Sequence, residues 1–133
     1  MLDPVLAPHA PSARKKVLAI DDSSTVLLSE RLLLSRQYDV LSARDGEEGL
    51  EKARAERPDL ILLDVVMPGM NGFEACRRLR EAEETRGIPI IMVTTRGELS
   101  NLEAGYQAGC SEYVTKPFNG PELLAKVQSL LGE

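Results

Sequence analysis

A chain of 133 residues, 28% charged and 43% hydrophobic, has the length and balance of one globular domain, and its apolar runs are too short to cross a bilayer. The net charge is −5; Asp3 against Arg14, Lys15 and Lys16 gives the first sixteen residues +2, leaving −7 beyond them, which argues against unaided nucleic-acid binding. A single histidine, His9, argues against a histidine-ligated metal site or a Ser-His triad, and two cysteines, Cys76 and Cys110, make neither a disulfide framework nor a metal cluster.

Residues 1–14 are rich in Pro and Ala, and Asp3 stands where a signal peptide would be basic. They are expected to form a disordered tail ahead of a domain over 15–133, in a reducing cytoplasm. Val17–Ile20 reads as the first strand and ends at Asp21-Asp22. A helix is predicted from about Ser24 to Arg36, with Leu28, Leu32 and Leu33 among its inward candidates. Asp39–Ala43 is the second strand. Asp45 followed by Glu48 is a capping box for a second helix that stops at Pro58.

The run Leu60–Leu63 reads as a strand buried on both faces, and Asp64 ends it with a carboxylate. Asn71 and Glu74 cap a third helix ending near Thr85, with Cys76 on its apolar face beside Phe73 and Leu79. Pro89–Val93 is the fourth strand, followed by Thr94-Thr95. A short helix from about Glu98 to Ala108 stops at Gly109. Glu112–Thr115 is the fifth strand, ending in Lys116-Pro117. Asn119 and Glu122 cap a last helix with Leu123, Val127, Leu130 and Leu131 inward.

Five β–α units imply an α/β fold: a five-stranded parallel sheet with helices on both faces, in the flavodoxin-like (βα)5 order 2-1-3-4-5. That order makes strands 1 and 3 neighbours, so Asp21, Asp22 and Asp64 would share one crevice, with Thr94 and Lys116 at its rim. Three carboxylates so close repel one another unless a cation is present. Mg²⁺ suits an all-oxygen site of this kind, and with a hydroxyl and an ammonium added the crevice becomes a phosphoryl cradle in which a carboxylate can act as nucleophile. Taken singly, each residue has a plainer reading. Asp64 can begin a turn, Asp21-Asp22-Ser23-Ser24 can cap a helix, Thr94 and Tyr113 can be ordinary strand residues, and Lys116 can be solvated.

The stretches Val17-Leu18-Ala19-Ile20-Asp21-Asp22-Ser23, Leu62-Leu63-Asp64, Met67-Pro68-Gly69-Met70-Asn71-Gly72, Val93-Thr94 and Tyr113-Val114-Thr115-Lys116-Pro117-Phe118, in this order, resemble the receiver domain of bacterial two-component response regulators. The resemblance covers about residues 15–132. It implies that Asp64 is the phosphoacceptor, that Asp22 ligates Mg²⁺ directly and Asp21 largely through water, and that the backbone carbonyl of Val66 is a further ligand. It also implies that Thr94 and Lys116 bind phosphoryl oxygens, that Lys116-Pro117 is cis, and that Tyr113 is a switch aromatic. The readout would be a changed surface on helix 4, strand 5 and helix 5.

A histidine kinase or histidine phosphotransfer protein would be the donor, acting in trans, and a downstream protein the target. Such a chain is a signalling module rather than an enzyme, with no nucleic acid or membrane partner, and either a monomer or a phosphorylation-dependent dimer. No room follows the last helix for an output domain, so the chain reads as a stand-alone receiver or a fragment of a longer regulator. A haloacid-dehalogenase-like phosphohydrolase would need Asp-x-Asp-x-Thr, whereas Asp21 and Asp22 are adjacent. A phosphorylation-independent scaffold would not need so complete a site.

Two neighbours of the site carry local expectations. Val66 has an apolar side chain that cannot orient an attacking water, and Arg96 is placed to pair with the phosphoryl group, so autodephosphorylation should be slow. On helix 4, Leu99, Leu102, Gly105 and Tyr106 form a strip. It reads either as core packing with a solvated Tyr106 or as a docking face exposed on phosphorylation.

Overall fold

The computed structural model describes residues 14–95 and 102–133. Five strands, β1 (Lys16–Ile20), β2 (Asp39–Ala43), β3 (Leu60–Asp64), β4 (Ile90–Thr95) and β5 (Glu112–Lys116), alternate with helices α1 (Ser24–Leu34), α2 (Gly46–Glu56), α3 (Gly72–Glu81), α4 (Leu102–Ala108) and α5 (Gly120–Leu130). All strand pairs are parallel and the order is β2-β1-β3-β4-β5, the expected flavodoxin-like arrangement. Residues 1–13 of the expected tail, Arg96, Leu99 and the predicted start of helix 4 lie outside the described residues.

Alternation along the strands divides the core into two layers. Leu18, Ile20, Ile61, Leu63, Met92 and Tyr113 pack on one face with Ala75, Cys76 and Leu79 of α3. Val17, Ala19, Leu62, Val93 and Val114 pack on the other with Leu27 and Leu34 of α1 and Leu123 and Val127 of α5. Every residue of β3 is buried, as its apolar run requires. Cys76 is a buried core thiol, and neither it nor Cys110 is bridged.

The helix starts follow the side-chain oxygens that cap them. Ser23, Asp45, Asn71 and Asn119 accept hydrogen bonds from the amides of Val26, Glu48, Glu74 and Glu122. The ends differ more. The third helix stops at Glu81, because Ala82 is extended and the Thr85 hydroxyl turns back to donate to the Leu79 carbonyl at 2.7 Å. β4 runs from Ile90 through the Thr94-Thr95 pair in which the expected fourth strand ends.

The inward face of α1 is the main correction. Leu28 and Leu32 are 55% and 67% exposed, and Leu33 is half-buried; the buried residues are Leu27, Glu30 and Leu34. The segment is apolar nearly all round, so periodicity alone does not select a face. With the start set by Ser23, the i, i+3, i+7 stripe that meets the sheet is the one containing a glutamate.

Candidate functional site

Parallel pairing puts the carboxyl ends of all five strands at one edge. Asp21 follows β1, Asp64 ends β3, and Lys116 ends β5. Each stands two residues after a side chain of the α1/α5 layer (Ala19, Leu62 and Val114), so the three converge on that face. Asp64 lies opposite Val93 in the ladder, and Thr94 opposite Thr115, which sets Thr94 one step further out.

One carboxylate oxygen from each of Asp21, Asp22 and Asp64 lies within 4.8 Å of the others. Asp21 and Asp64 are buried while Asp22 is exposed. Lys116 Nζ lies 2.9 Å from Asp21 Oδ2 and 3.2 Å from Asp64 Oδ1, donating a hydrogen bond to the latter. The Asp21 contact is an ion pair without hydrogen-bond alignment, so this buried Oδ2 has no hydrogen-bond donor. The other oxygen, Oδ1, accepts from the Ser23 amide at 2.9 Å, which ties Asp21 to the cap of α1. The Lys116-Pro117 bond is cis.

The charges hold each other in tension. Burial, then Asp21, pushes the Asp64 carboxyl up to about 6 against the pull of Lys116. Burial disfavours the Lys116 ammonium, but Asp21 and Asp64 outweigh it and raise its pKa above that of an ordinary lysine. The donor set is all oxygen, one buried oxygen lacks a hydrogen bond, and among the described residues a single ammonium contacts two of the three carboxylates. These features fit a hard divalent cation.

The backbone around the site requires glycine at two points. Gly69 has φ +75, in the left-handed region. At Gly72 a β-carbon would overlap the Asp64 carbonyl oxygen and lie 2.8 Å from Val65 Cα, and its amide donates to the Val65 carbonyl at 2.8 Å. This close approach seats α3 against the end of β3. The demand for space at Gly72 comes from packing.

The remaining candidates are more dispersed. The Val66 side chain is 59% exposed beside the cluster. The Thr94 hydroxyl is buried and makes a long 3.5 Å contact to the Thr95 carbonyl. Tyr113 is turned inward, its ring edge-on to Tyr106 at 5.6 Å. Gly105 is buried against Tyr113, Leu102 is partly buried, and Tyr106 is exposed, so the helix 4 strip does not form one face. Sequence reading missed Glu30. Its signal was available: a helix begun at Ser24 places residue 30 in register with Leu27 and Leu34.

Residues 17–128 match the model of the response regulator receiver domain. The chain is 41% identical over 118 residues to the alkaline phosphatase synthesis transcriptional regulatory protein PhoP of Bacillus subtilis, covering 88% of this chain but 48% of PhoP. It is 38% identical to protein PilH of Pseudomonas aeruginosa, covering 87% of this chain and 97% of PilH. Thus it spans about half the length of the first relative and nearly all of the second.

Among solved structures, chemotaxis protein CheY4 of Vibrio cholerae superimposes with a TM-score of 0.83 at 37% identity, over 89% of this chain and 99% of that one. The receiver domain of the sensor histidine kinase PA1611 of P. aeruginosa, with magnesium coordinated in its active-site cleft, matches with a TM-score of 0.83 at 31% identity, over 91% and 100% of the two chains. Five parallel strands in this order, an acidic pocket at their carboxyl ends, and these matches lead to one assignment: the chain belongs to the response regulator receiver domain family.

Proposed function

We propose that residues 15–133 act as a phosphorylation-controlled signalling domain in which Asp64 accepts a phosphoryl group from a phosphohistidine on a histidine kinase or phosphotransfer protein. The observation that carries this reading is the Lys116 ammonium shared between two buried carboxylates, 2.9 Å from Asp21 and 3.2 Å from Asp64. Asp64 is the nucleophile. With its pKa near 6 it is mostly a carboxylate at neutral pH, and it is a better nucleophile than a fully solvated acid would be. Its oxygen forms the new O–P bond as the P–N bond breaks, and the imidazole leaves with the electron pair and takes up a proton.

Asp21, Asp22, Asp64 and the carbonyl of Val66 would hold Mg²⁺, which supplies charge neutralisation for the phosphoryl oxygens. Lys116 offers an ammonium donor for one of those oxygens, and the Thr94 hydroxyl offers another. Drawing Thr94 toward the phosphoryl group alters the space beside Tyr113 on the same sheet face. The signal then leaves through the surface of α4, β5 and α5 to a downstream protein, as a monomer or by phosphorylation-dependent pairing. The absence, among the described residues, of a helix able to cross a membrane is compatible with action in the cytoplasm.

Incubation with acetyl phosphate and Mg²⁺ tests the assignment by mass spectrometry. A gain of one phosphoryl group that disappears in Asp64→Ala supports it. Labelling that persists in that variant would refute the choice of Asp64.

A further inference from the structure

Glu30 has no part in the reading above, yet among the described residues it is the one buried acid on a helix. It is 1% exposed, lies between Leu27 and Leu34 on the sheet-facing side of α1, and its Oε1 has no hydrogen-bond partner. A carboxylate in such a place keeps its proton or acquires a cation, because an unpaired buried charge is strongly disfavoured. Among the described residues, the charged groups that act on it are Asp21 after β1, Lys116 of β5 and Asp64 of β3, and the only cation of these is Lys116.

Glu30 and the lysine share one layer: the buried stripe of α1 packs on the sheet face toward which Asp21, Asp64 and Lys116 converge. A cavity of about 220 Å³ adjoins the lysine, lined by Thr25, Val26, Ser29, Lys116, Pro117 and Phe118. Without a divalent ion, Lys116 is the counter-cation of Asp21 and Asp64. A cation bound by those carboxylates would repel the ammonium and take its partners.

We propose that Glu30 is a positioning residue for Lys116: a carboxyl supplied by α1, toward which the ammonium turns when Asp21 and Asp64 engage a divalent cation and which holds it until a phosphoryl oxygen takes it. This rests on the reading of the three aspartates as a cation-assisted phosphorylation site. Burial and Asp21 push the Glu30 carboxyl up to about 8, so it is protonated while Lys116 stays paired with Asp21 and Asp64, and it releases that proton to solvent as it takes the lysine. A glutamate confined to a structural role would affect stability alone.

Mg²⁺ titration by calorimetry separates the two. Glu30→Leu, which leaves Lys116 competing with the ion for Asp21 and Asp64, should bind Mg²⁺ about fivefold more weakly, the scale of one partly screened ion pair. Glu30→Gln, whose amide oxygen still accepts from an ammonium, should recover most of the loss. Equal or tighter binding by Glu30→Leu would overturn the proposal. Should that variant not fold, the wild type labelled with ¹⁵N-lysine and ¹³C-glutamate serves instead. The Lys116 and Glu30 signals should shift together along the Mg²⁺ titration, and a Glu30 carboxyl that stays put would overturn the proposal. Wild-type protein that neither binds Mg²⁺ nor is labelled at Asp64 by acetyl phosphate would instead overturn the phosphorylation reading itself.

Discussion

Gly105 of α4 and Tyr113 of β5 meet so closely that a β-carbon at residue 105 would overlap the tyrosine hydroxyl and lie 2.8 Å from Cζ. The glycine makes the inward seat of Tyr113. In Gly105→Ala the ring end, being the movable partner, is expected to swing outward. Helix propensity gains about 1 kcal/mol from the substitution, while losing a buried aromatic seat costs about 2 kcal/mol, so stability should fall by about 1 kcal/mol. The Tyr113 ring resonances and the urea midpoint report both effects.

Gly72 presents the opposite case, since its neighbours are backbone atoms of Asp64 and Val65 that cannot rotate away. Gly72→Ala should push α3 off the end of β3, destabilise the domain by about 1–3 kcal/mol, and slow phosphorylation by acetyl phosphate. Unchanged labelling kinetics in a destabilised variant would separate the helix seat from the geometry of Asp64.

The buried acids set a pH dependence. In the folded chain Asp64 has its pKa at about 6 against an ordinary 3.8, and Glu30 at about 8 against 4.5. Raised acid pKa values mean that the folded state binds protons more tightly than the unfolded chain. Their stabilising contribution is therefore complete below about pH 4 and is lost as pH rises through 6 and then 8. Urea midpoints of the metal-free protein should fall across that window. Glu30→Gln should remove the part of the fall between about pH 4.5 and 8, and saturating Mg²⁺ should restore stability at neutral pH.

Val66 places an exposed apolar side chain at the edge of the cluster. A polar side chain there, as in Val66→Asn, can hold a water near the phosphoryl group. The lifetime of the acyl phosphate in Mg²⁺ should then shorten by about tenfold, below the usual scale of general acid–base assistance because the amide only orients the water. An unchanged lifetime would show that residue 66 does not control hydrolysis.

Lys116 links the two buried carboxylates of the site. Lys116→Met removes the cation 2.9 Å from Asp21 and 3.2 Å from Asp64. The metal-free domain should lose stability at neutral pH by about 3 kcal/mol, because two buried carboxylates are left facing each other. Thermal unfolding with and without Mg²⁺ checks this: the ion should reduce the difference between variant and wild type.

Much of this protein was legible before folding was considered. Short apolar runs, a period-3.6 stripe in the last helix, four side-chain caps and the alternation of strands with helices point to the parallel sheet, because each is a local property of neighbouring residues, and the usual order of such sheets does the rest. Strand-end acids then follow, since parallel pairing sends every carboxyl end to one edge. What remained hidden depends on contacts between segments distant in sequence. The apolar surround of α1 left its inward face undetermined, and only packing against the sheet selected Leu27, Glu30 and Leu34 over Leu28 and Leu32. The same packing buried Glu30 within the field of Asp21, Lys116 and Asp64, seated Gly72 on the Asp64 backbone, and set Gly105 under Tyr113. A side chain's type is written in the chain, but its dielectric surroundings and free space exist only once the tertiary structure has closed around it.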